Sequence, residues 1–256
     1  MNLLLDIGNS RIKWACCQHG RWLAEDAALQ TGDEADWDFL RTLPAEPRRI
    51  LAVCVAGPAI AEQLAAASRQ LWSLEVEFAI ALEQQRGLRN GYRDPEQLGA
   101  DRWLAMLAAR RDSAEALCVV DAGTAITVDL VEADGLHRGG FILPGLSLMA
   151  AALDFGTGEI RRRVELSPAE PGKKSLGPAA DTRGAINNAA LLAAAGLIDR
   201  ARKMTASPAT LVVTGGDAPA LQPLLPAGCL LRPHLVLEGL LEAFRPDGDE
   251  LAHHDA

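Results

Sequence analysis

An apolar run closed by Asp, one further residue and Gly occurs twice in this chain. Residues 3–8 read LLLDIG and residues 117–123 read LCVVDAG. Small polar residues follow each copy, Asn9 and Ser10 after the first and Thr124 after the second, and an alternating segment comes next at residues 11–17 and 126–131. In the first alternating segment Ile12, Trp14 and Cys16 fall on one face and Arg11 and Lys13 on the other, the period of a half-buried strand. Two strand–turn–strand segments of this kind, about 115 residues apart in a chain of 256, predict a duplicated α/β unit. The repeat divides the chain into domains at residues 1–114 and 115–246, with a frayed tail at 247–256.

The remaining pattern fits strands alternating with helices. Residues 49–56 form a continuous apolar run of the type buried on both sheet faces, and Pro58 stands where a helix running to about Trp72 would begin. Further strands are expected at residues 21–27, 74–80 and 210–213. Helices are expected at 37–43, 101–112, 146–153, 182–204 and 236–244. Asp94, Pro95 and Gln97 have the spacing of a capped helix start. Asp134-Gly135 is a hairpin turn signal, and residues 167–181 read as a polar loop.

Composition narrows the function. With 49% apolar and 23% charged residues, the chain is an ordinary globular one. The longest apolar stretch, residues 189–198, is about half of what spans a bilayer. The start, MNLLLDIG, lacks the basic region of a signal peptide. Five cysteines without an export signal predict reduced thiols and a cytoplasmic protein. A net charge of −9 speaks against a nucleic-acid or membrane-surface partner, because phosphate contacts need clustered Lys and Arg. Any phosphate must therefore be bound locally, by backbone amides and metal ions.

Asp6, Gly8, Asn9, Ser10 and Lys13 suit that task. Gly8 permits close approach, Asn9 and Ser10 offer hydrogen bonds, and Lys13 can reach a phosphate as a point charge. Asp6 can hold Mg2+ directly or through water. The same residues suit a plain tight hairpin with a solvated lysine, and it is the second copy, at Asp121, Gly123 and Thr124, that favours polyphosphate binding. Thr214-Gly215-Gly216 is a third turn that a base or ribose could approach. A separate constellation, Gly99, Ala100, Asp101 and Arg102 after Tyr92, puts an aspartate at a helix start. There backbone donors would keep it ionised and able to accept a proton from a substrate hydroxyl. Asp is also a common helix cap. No Cys/His spacing suggests zinc, and His19, His137 and His234 stand isolated.

Together these segments resemble the type III pantothenate kinases over essentially the whole length. The resemblance rests on Asp6-Ile-Gly-Asn-Ser10 with Lys13, Tyr92 with Pro95, residues 98–102 (LGADR), residues 121–127 (DAGTAIT), residues 139–145 (GGFILPG), Thr182 with Ala185-Ile186, and residues 214–216 (TGG). It implies two duplicated actin/hexokinase-like (ribonuclease H-like) α/β domains with an interdomain nucleotide cleft. It further implies phosphorylation of pantothenate by ATP, at the entrance to coenzyme A biosynthesis. Asp6, Gly8, Asn9, Ser10, Lys13 and Thr124 would contact ATP, with Mg2+ near Asp6. Tyr92, Gly99, Ala100, Asp101, Arg102 and Thr182 would contact pantothenate, with Asp101 as proton acceptor. Asp121 would hold a monovalent cation, K+ or NH4+, and the protein would be a homodimer. Ser10 stands where the family often has Thr, and the hydroxyl is kept. Two alternatives remain: a kinase of the same superfamily acting on a sugar or carboxylate, and a nucleotide-binding regulatory protein without turnover.

Overall fold

The computed structural model describes residues 1–31, 34–156 and 176–246. The expected tail at 247–256 and residues 167–175 of the polar loop lie outside the described residues. The chain divides into two compact units, Met1–Ile80 with Val236–Ala256, and Ala81–Leu235.

The first unit is built on a six-stranded sheet. Its strands are β1 (Asn2–Ile7), β2 (Arg11–Gln18), β3 (Arg21–Thr31), β4 (Glu34–Ala35), β5 (Arg49–Cys54) and β6 (Val76–Phe78), in the order β4-β3-β2-β1-β5-β6. β1, β2 and β3 pair antiparallel, whereas β1, β5 and β6 pair parallel. The return from β2 to β3 uses His19 and Gly20, both at positive φ, the backbone of a tight hairpin that keeps the strand twist. Helix α1 (Pro58–Trp72) joins β5 to β6 and buries Ile60, Leu64 and Ser68, one side chain per turn. Leu3, Leu5, Ile7, Ile12, Ile50 and Ala52 pack with Ile60 and Leu64 in one core. Trp14 stacks on Phe39 at a centroid distance of 5.5 Å.

The second unit opens with a small hairpin, β7 (Gln84–Gln85) and β8 (Leu88–Arg89), turned by Arg86 and Gly87 at positive φ. Helix α2 (Ala100–Asp112) follows. Then come β9 (Ala116–Ala122), β10 (Ala125–Val131), β11 (His137–Pro144), α3 (Leu146–Gly156), α4 (Thr182–Ala201), β12 (Ala209–Thr214), α5 (Ala218–Leu221) and β13 (Leu230–Leu231). The sheet order is β11-β10-β9-β12-β13. β9, β10 and β11 are antiparallel, and β9, β12 and β13 are parallel. Strand for strand this is the topology of β3-β2-β1-β5-β6, so the repeat in the sequence is a repeat in the fold. α2 packs on β8, β9 and β10, so the compact unit that carries the second sheet begins at Ala81. A last helix, α6 (Leu235–Ala243), returns to the first unit from Val236 onward.

Several expectations need correction. The helix expected at 37–43 is a short 3-10 turn, Asp38–Thr42. Asp94 caps no helix with its side chain: Pro95–Gln97 is one 3-10 turn, and Gln97 Nε2 donates to Asp94 Oδ2 instead. α2 starts after Gly99, one residue before the expected Asp101. The hairpin signalled by Asp134-Gly135 is present as β10 and β11, but the extent of β11 was not expected, because glycines and exposed side chains hide its alternation.

Leu5 is fully buried in β1, while Leu29 on β3 is 72% exposed. Leu5→Ala is expected to cost about 2–5 kcal/mol and Leu29→Ala less than about 0.5 kcal/mol. The check is the urea midpoint at constant m-value.

Candidate active site

The site in the second unit grows from the start of α2. Gly99 precedes the helix in extended conformation, and a Cβ there would stand 2.6 Å from Asp101 Oδ1. The glycine thus leaves room for the carboxylate to fold back over the helix start. Asp101 Oδ1 accepts a hydrogen bond from the Arg102 backbone N–H at 2.8 Å. Burial pushes the Asp101 carboxyl above its usual range, and the neighbouring N–H and the Arg102 charge do not offset it. Backbone donors alone would have kept it ionised at lower pH. The structure adds burial, which makes it a stronger base.

The Arg102 side chain runs inward, 6% exposed, to a carboxylate only 2% exposed. Nε donates to Asp129 Oδ2 at 2.9 Å and Nη2 to Asp129 Oδ1 at 2.6 Å, a two-pronged ion pair. Nη1 donates to the Tyr92 hydroxyl at 2.9 Å. His137 Nε2 lies 2.9 Å from Asp129 Oδ1, and its ring stacks under Tyr92 at 5.7 Å. Burial works to raise the Asp129 carboxyl, but the bonds from His137 and Arg102 outweigh it and hold it below the usual range. Asp129 in turn keeps the Arg102 guanidinium charged against its own burial.

The loop ahead of α2 is fixed by Asn90. Its Nδ2 donates to the carbonyls of Leu82 and Pro95, and its Oδ1 accepts from the Tyr92 N–H at 3.0 Å. The structure therefore brings Tyr92, Asp101 and Arg102 together as the sequence suggested. Asp129 and His137 were missed. The available signal was an aspartate inside the apolar strand ITVDLV, where a lone charge requires a buried partner.

In the same unit the second hairpin turns at Gly123, whose N–H donates to the Ala125 carbonyl at 3.0 Å, and the Thr124 carbonyl accepts from Gly145 N–H at 2.9 Å. Asp121 ends β9 between Thr127 of β10 and Thr214 of β12. Gly215, at φ +95°, lies so close that a Cβ would stand 2.5 Å from Asp121 Oδ1. The Thr214-Gly215 turn is thus approached by the protein's own backbone and by Asp121. Thr182 is exposed on the first turn of α4, whose cap is Asp181, accepting from the Gly184 N–H at 2.8 Å.

In the first unit Gly8 N–H donates to the Arg11 carbonyl at 3.0 Å, closing the hairpin over Asn9 and Ser10. Asp6 and Lys13 face each other across β1 and β2, with Nζ 3.8 Å from Oδ2. Among the described residues no three His, Cys, Asp or Glu side chains are grouped to hold a metal ion. Single carboxylates such as Asp6 and Asp121 fit cations that keep water or substrate oxygens as their other ligands. All five cysteines are unpaired, and burial lifts the Cys118 thiol to about 12, so it serves as a small apolar side chain.

Residues 2–204 match the family profile of type III pantothenate kinase. A type III pantothenate kinase of Nitrosococcus oceani is 40% identical, covering 94% of this chain and 92% of its own. A solved Campylobacter jejuni protein described as a Baf family transcriptional activator has a TM-score of 0.58 at 21% identity, over 93% of this chain and 96% of its own. A Sinorhizobium meliloti protein described as a 2-dehydro-3-deoxygalactonokinase has a TM-score of 0.54 at 13% identity, over 95% and 98%. These structures share the actin/hexokinase-like fold that the family resemblance implied, which agrees with the duplicated α/β unit read from the repeat.

The raised Asp101 carboxyl has a consequence for stability. A carboxyl that binds its proton more tightly when folded favours the native state below its unfolded pKa, and this contribution is lost as pH rises through the folded value. Asp101→Asn is therefore expected to match the parent protein below about pH 4 and to equal or exceed its stability at pH 7. Chemical denaturation at the two pH values checks the sign.

Proposed function

The chain belongs to the type III pantothenate kinase family, and on that premise we propose how its residues share the work of moving a phosphoryl group from ATP to pantothenate. The reaction is the first step of coenzyme A biosynthesis. One observation carries the assignment of the acceptor site: a half-buried aspartate of raised basicity, Asp101, is held at a helix start beside the paired donors Arg102 and Tyr92.

Tyr92, Gly99, Ala100, Arg102 and Thr182 bind pantothenate and orient its primary hydroxyl. Asp101 accepts the hydroxyl proton as the new O–P bond forms and the bond from the γ-phosphorus to ADP breaks. Such a transfer needs positioning and charge neutralisation more than covalent help. Asp6, Gly8, Asn9, Ser10 and Lys13 in one hairpin and Thr124 in the other hold ATP, chiefly through backbone amides. Asp6 is the residue for Mg2+, and Asp121 for K+ or NH4+. Bound there, these cations supply positive charge to the triphosphate that an acidic chain lacks.

A homodimer is supported by apolar side chains left at the surface: Ile142 on the edge strand β11, Leu148 on α3 and Leu192 on α4. Unpaired thiols, two of them adjacent and buried at Cys16 and Cys17, support a cytosolic setting. No helix among the described residues is long and apolar enough to cross a membrane. A regulatory protein without turnover is disfavoured by family membership and by the presence of Asp101 and both hairpin glycines.

Purified protein is expected to consume ATP only with pantothenate and Mg2+, faster with K+ present. Asp101→Asn is expected to lower kcat by about 10²–10⁴ while remaining folded; near-normal turnover in this variant would remove Asp101 as the base. Asp121→Ala is expected to blunt the response in a K+ titration, and an unchanged titration would detach the cation from that residue.

A further inference from the structure

Two buried side chains, Asp129 and His137, and two exposed glycines, Gly91 and Gly140, stand around Arg102 and Tyr92. Asp129 faces Gly140 across the β10–β11 ladder. A Cβ on Gly140 would stand 2.6 Å from Asp129 Oδ1 and 2.9 Å from Arg102 Nη2, so the missing side chain is what gives the ion pair its space. His137 is fully buried beneath the Tyr92 ring, with Nδ1 lacking a hydrogen-bond partner among the described residues. Gly91 abuts the His137 backbone so closely that any side chain there would overlap its carbonyl.

The hydrogen-bond polarity of this cluster is fixed by chemistry. Arg102 only donates. Asp129, held ionised, only accepts, so His137 Nε2 carries a proton toward it. The Tyr92 oxygen accepts from Arg102 Nη1, which leaves its own O–H to be donated elsewhere. A buried ion pair contributes little net stability compared with apolar packing of the same volume, so stability alone gives no account of three donors converging on one carboxylate.

We propose that Asp129 and His137 are positioning residues for the acceptor substrate. They lock Arg102 into one orientation and present the Tyr92 hydroxyl as a fixed donor to an acceptor oxygen of the substrate, a carbonyl or carboxylate. Gly140 is the clearance this arrangement needs. The proposal rests on the reading of the Tyr92 and Arg102 segment as the pantothenate site, and it adds residues that lie behind that segment without touching substrate.

The protein has one tyrosine, so Tyr92 is a reporter that needs no turnover. With tyrosine 13C-labelled at Cζ, the full-length protein gives one ring-hydroxyl carbon resonance. Asp129→Asn is expected to move that resonance and to raise KM for pantothenate about ten- to hundredfold, the effect of one charged hydrogen bond. KM for ATP is expected to stay unchanged. His137→Leu is expected to act in the same direction, and His137→Gln, which keeps a donor for Asp129, to recover part of the loss. Asp199→Asn, in an exposed ion pair on α4, is the control that should move neither readout. A folded Asp129→Asn protein with an unmoved tyrosine resonance and normal KM for pantothenate overturns the proposal. If that variant does not fold, equal KM values for His137→Leu, His137→Gln and the parent overturn it instead. Absence of pantothenate turnover in the parent protein would defeat the substrate reading alone, because the resonance still reports whether the network holds Tyr92.

Discussion

The Asp129 carboxylate is the fixed point of the region around Tyr92, Asp101 and Arg102. It lies almost wholly out of water in the middle of β10, and three donors from two side chains meet it there. Its solvation in water is replaced entirely by Arg102 and His137, so neither partner can leave without exposing a buried charge to apolar surroundings. That constraint ties α2, which carries Arg102, to β10, and ties β11, which carries His137, to the loop holding Tyr92. The start of α2, and with it Asp101, is therefore placed by a strand twenty-eight residues further along.

The two sheets show how one topology is put to two uses. In each, a parallel set of strands ends where the first hairpin turns, so Asp6 and Asp121 occupy equivalent positions at the end of β1 and β9. In the second unit glycine is required beside the hairpin for approach of backbone to backbone: Gly145 to the Thr124 carbonyl and Gly215 to the Ala122 carbonyl. Both units carry a register shift on their antiparallel side, at Cys16/Cys17 in β2 and at Leu130/Val131 in β10. In the second unit Gly139 of β11 lies beside the shift at positive φ, and a bulge of this kind re-aims side chains near a site.

Much of this was legible in the sequence. α1 begins and ends where Pro58 and the apolar period put it, and the paired LLLDIG and LCVVDAG runs gave the duplication and both hairpins. The β7–β8 turn escaped because Arg86 adopts positive φ, a place where Asn or Gly is the usual signal. The extent of β11 escaped because Gly139 and Gly140 break its alternation, and Gly140 serves the packing of Asp129 and Arg102 and not the strand's own propensity. Asp129 and His137 were missed for a different reason: they are eight residues apart and meet only when β10 and β11 pair, and the arginine that completes the cluster comes from another element. A sequence shows a charge in an apolar strand, but the identity of its partner is set by tertiary packing.

The charge distribution gives the acceptor region its character. Arg102 is neutralised by Asp129, and Lys13 lies against Asp6, so neither site presents a free excess of positive charge. In an acidic chain, anionic ligands are then not gathered by long-range attraction. Recognition must come from donors whose directions are fixed before the ligand arrives, which lowers the ordering cost of binding. A guanidinium already saturated on one edge, with a phenol aimed by the other, is such a device. With the proposed substrate there, it would discriminate by the placement of acceptor oxygens, since a ligand of equal charge but different oxygen spacing would leave those donors unsatisfied at a cost comparable to the bond itself.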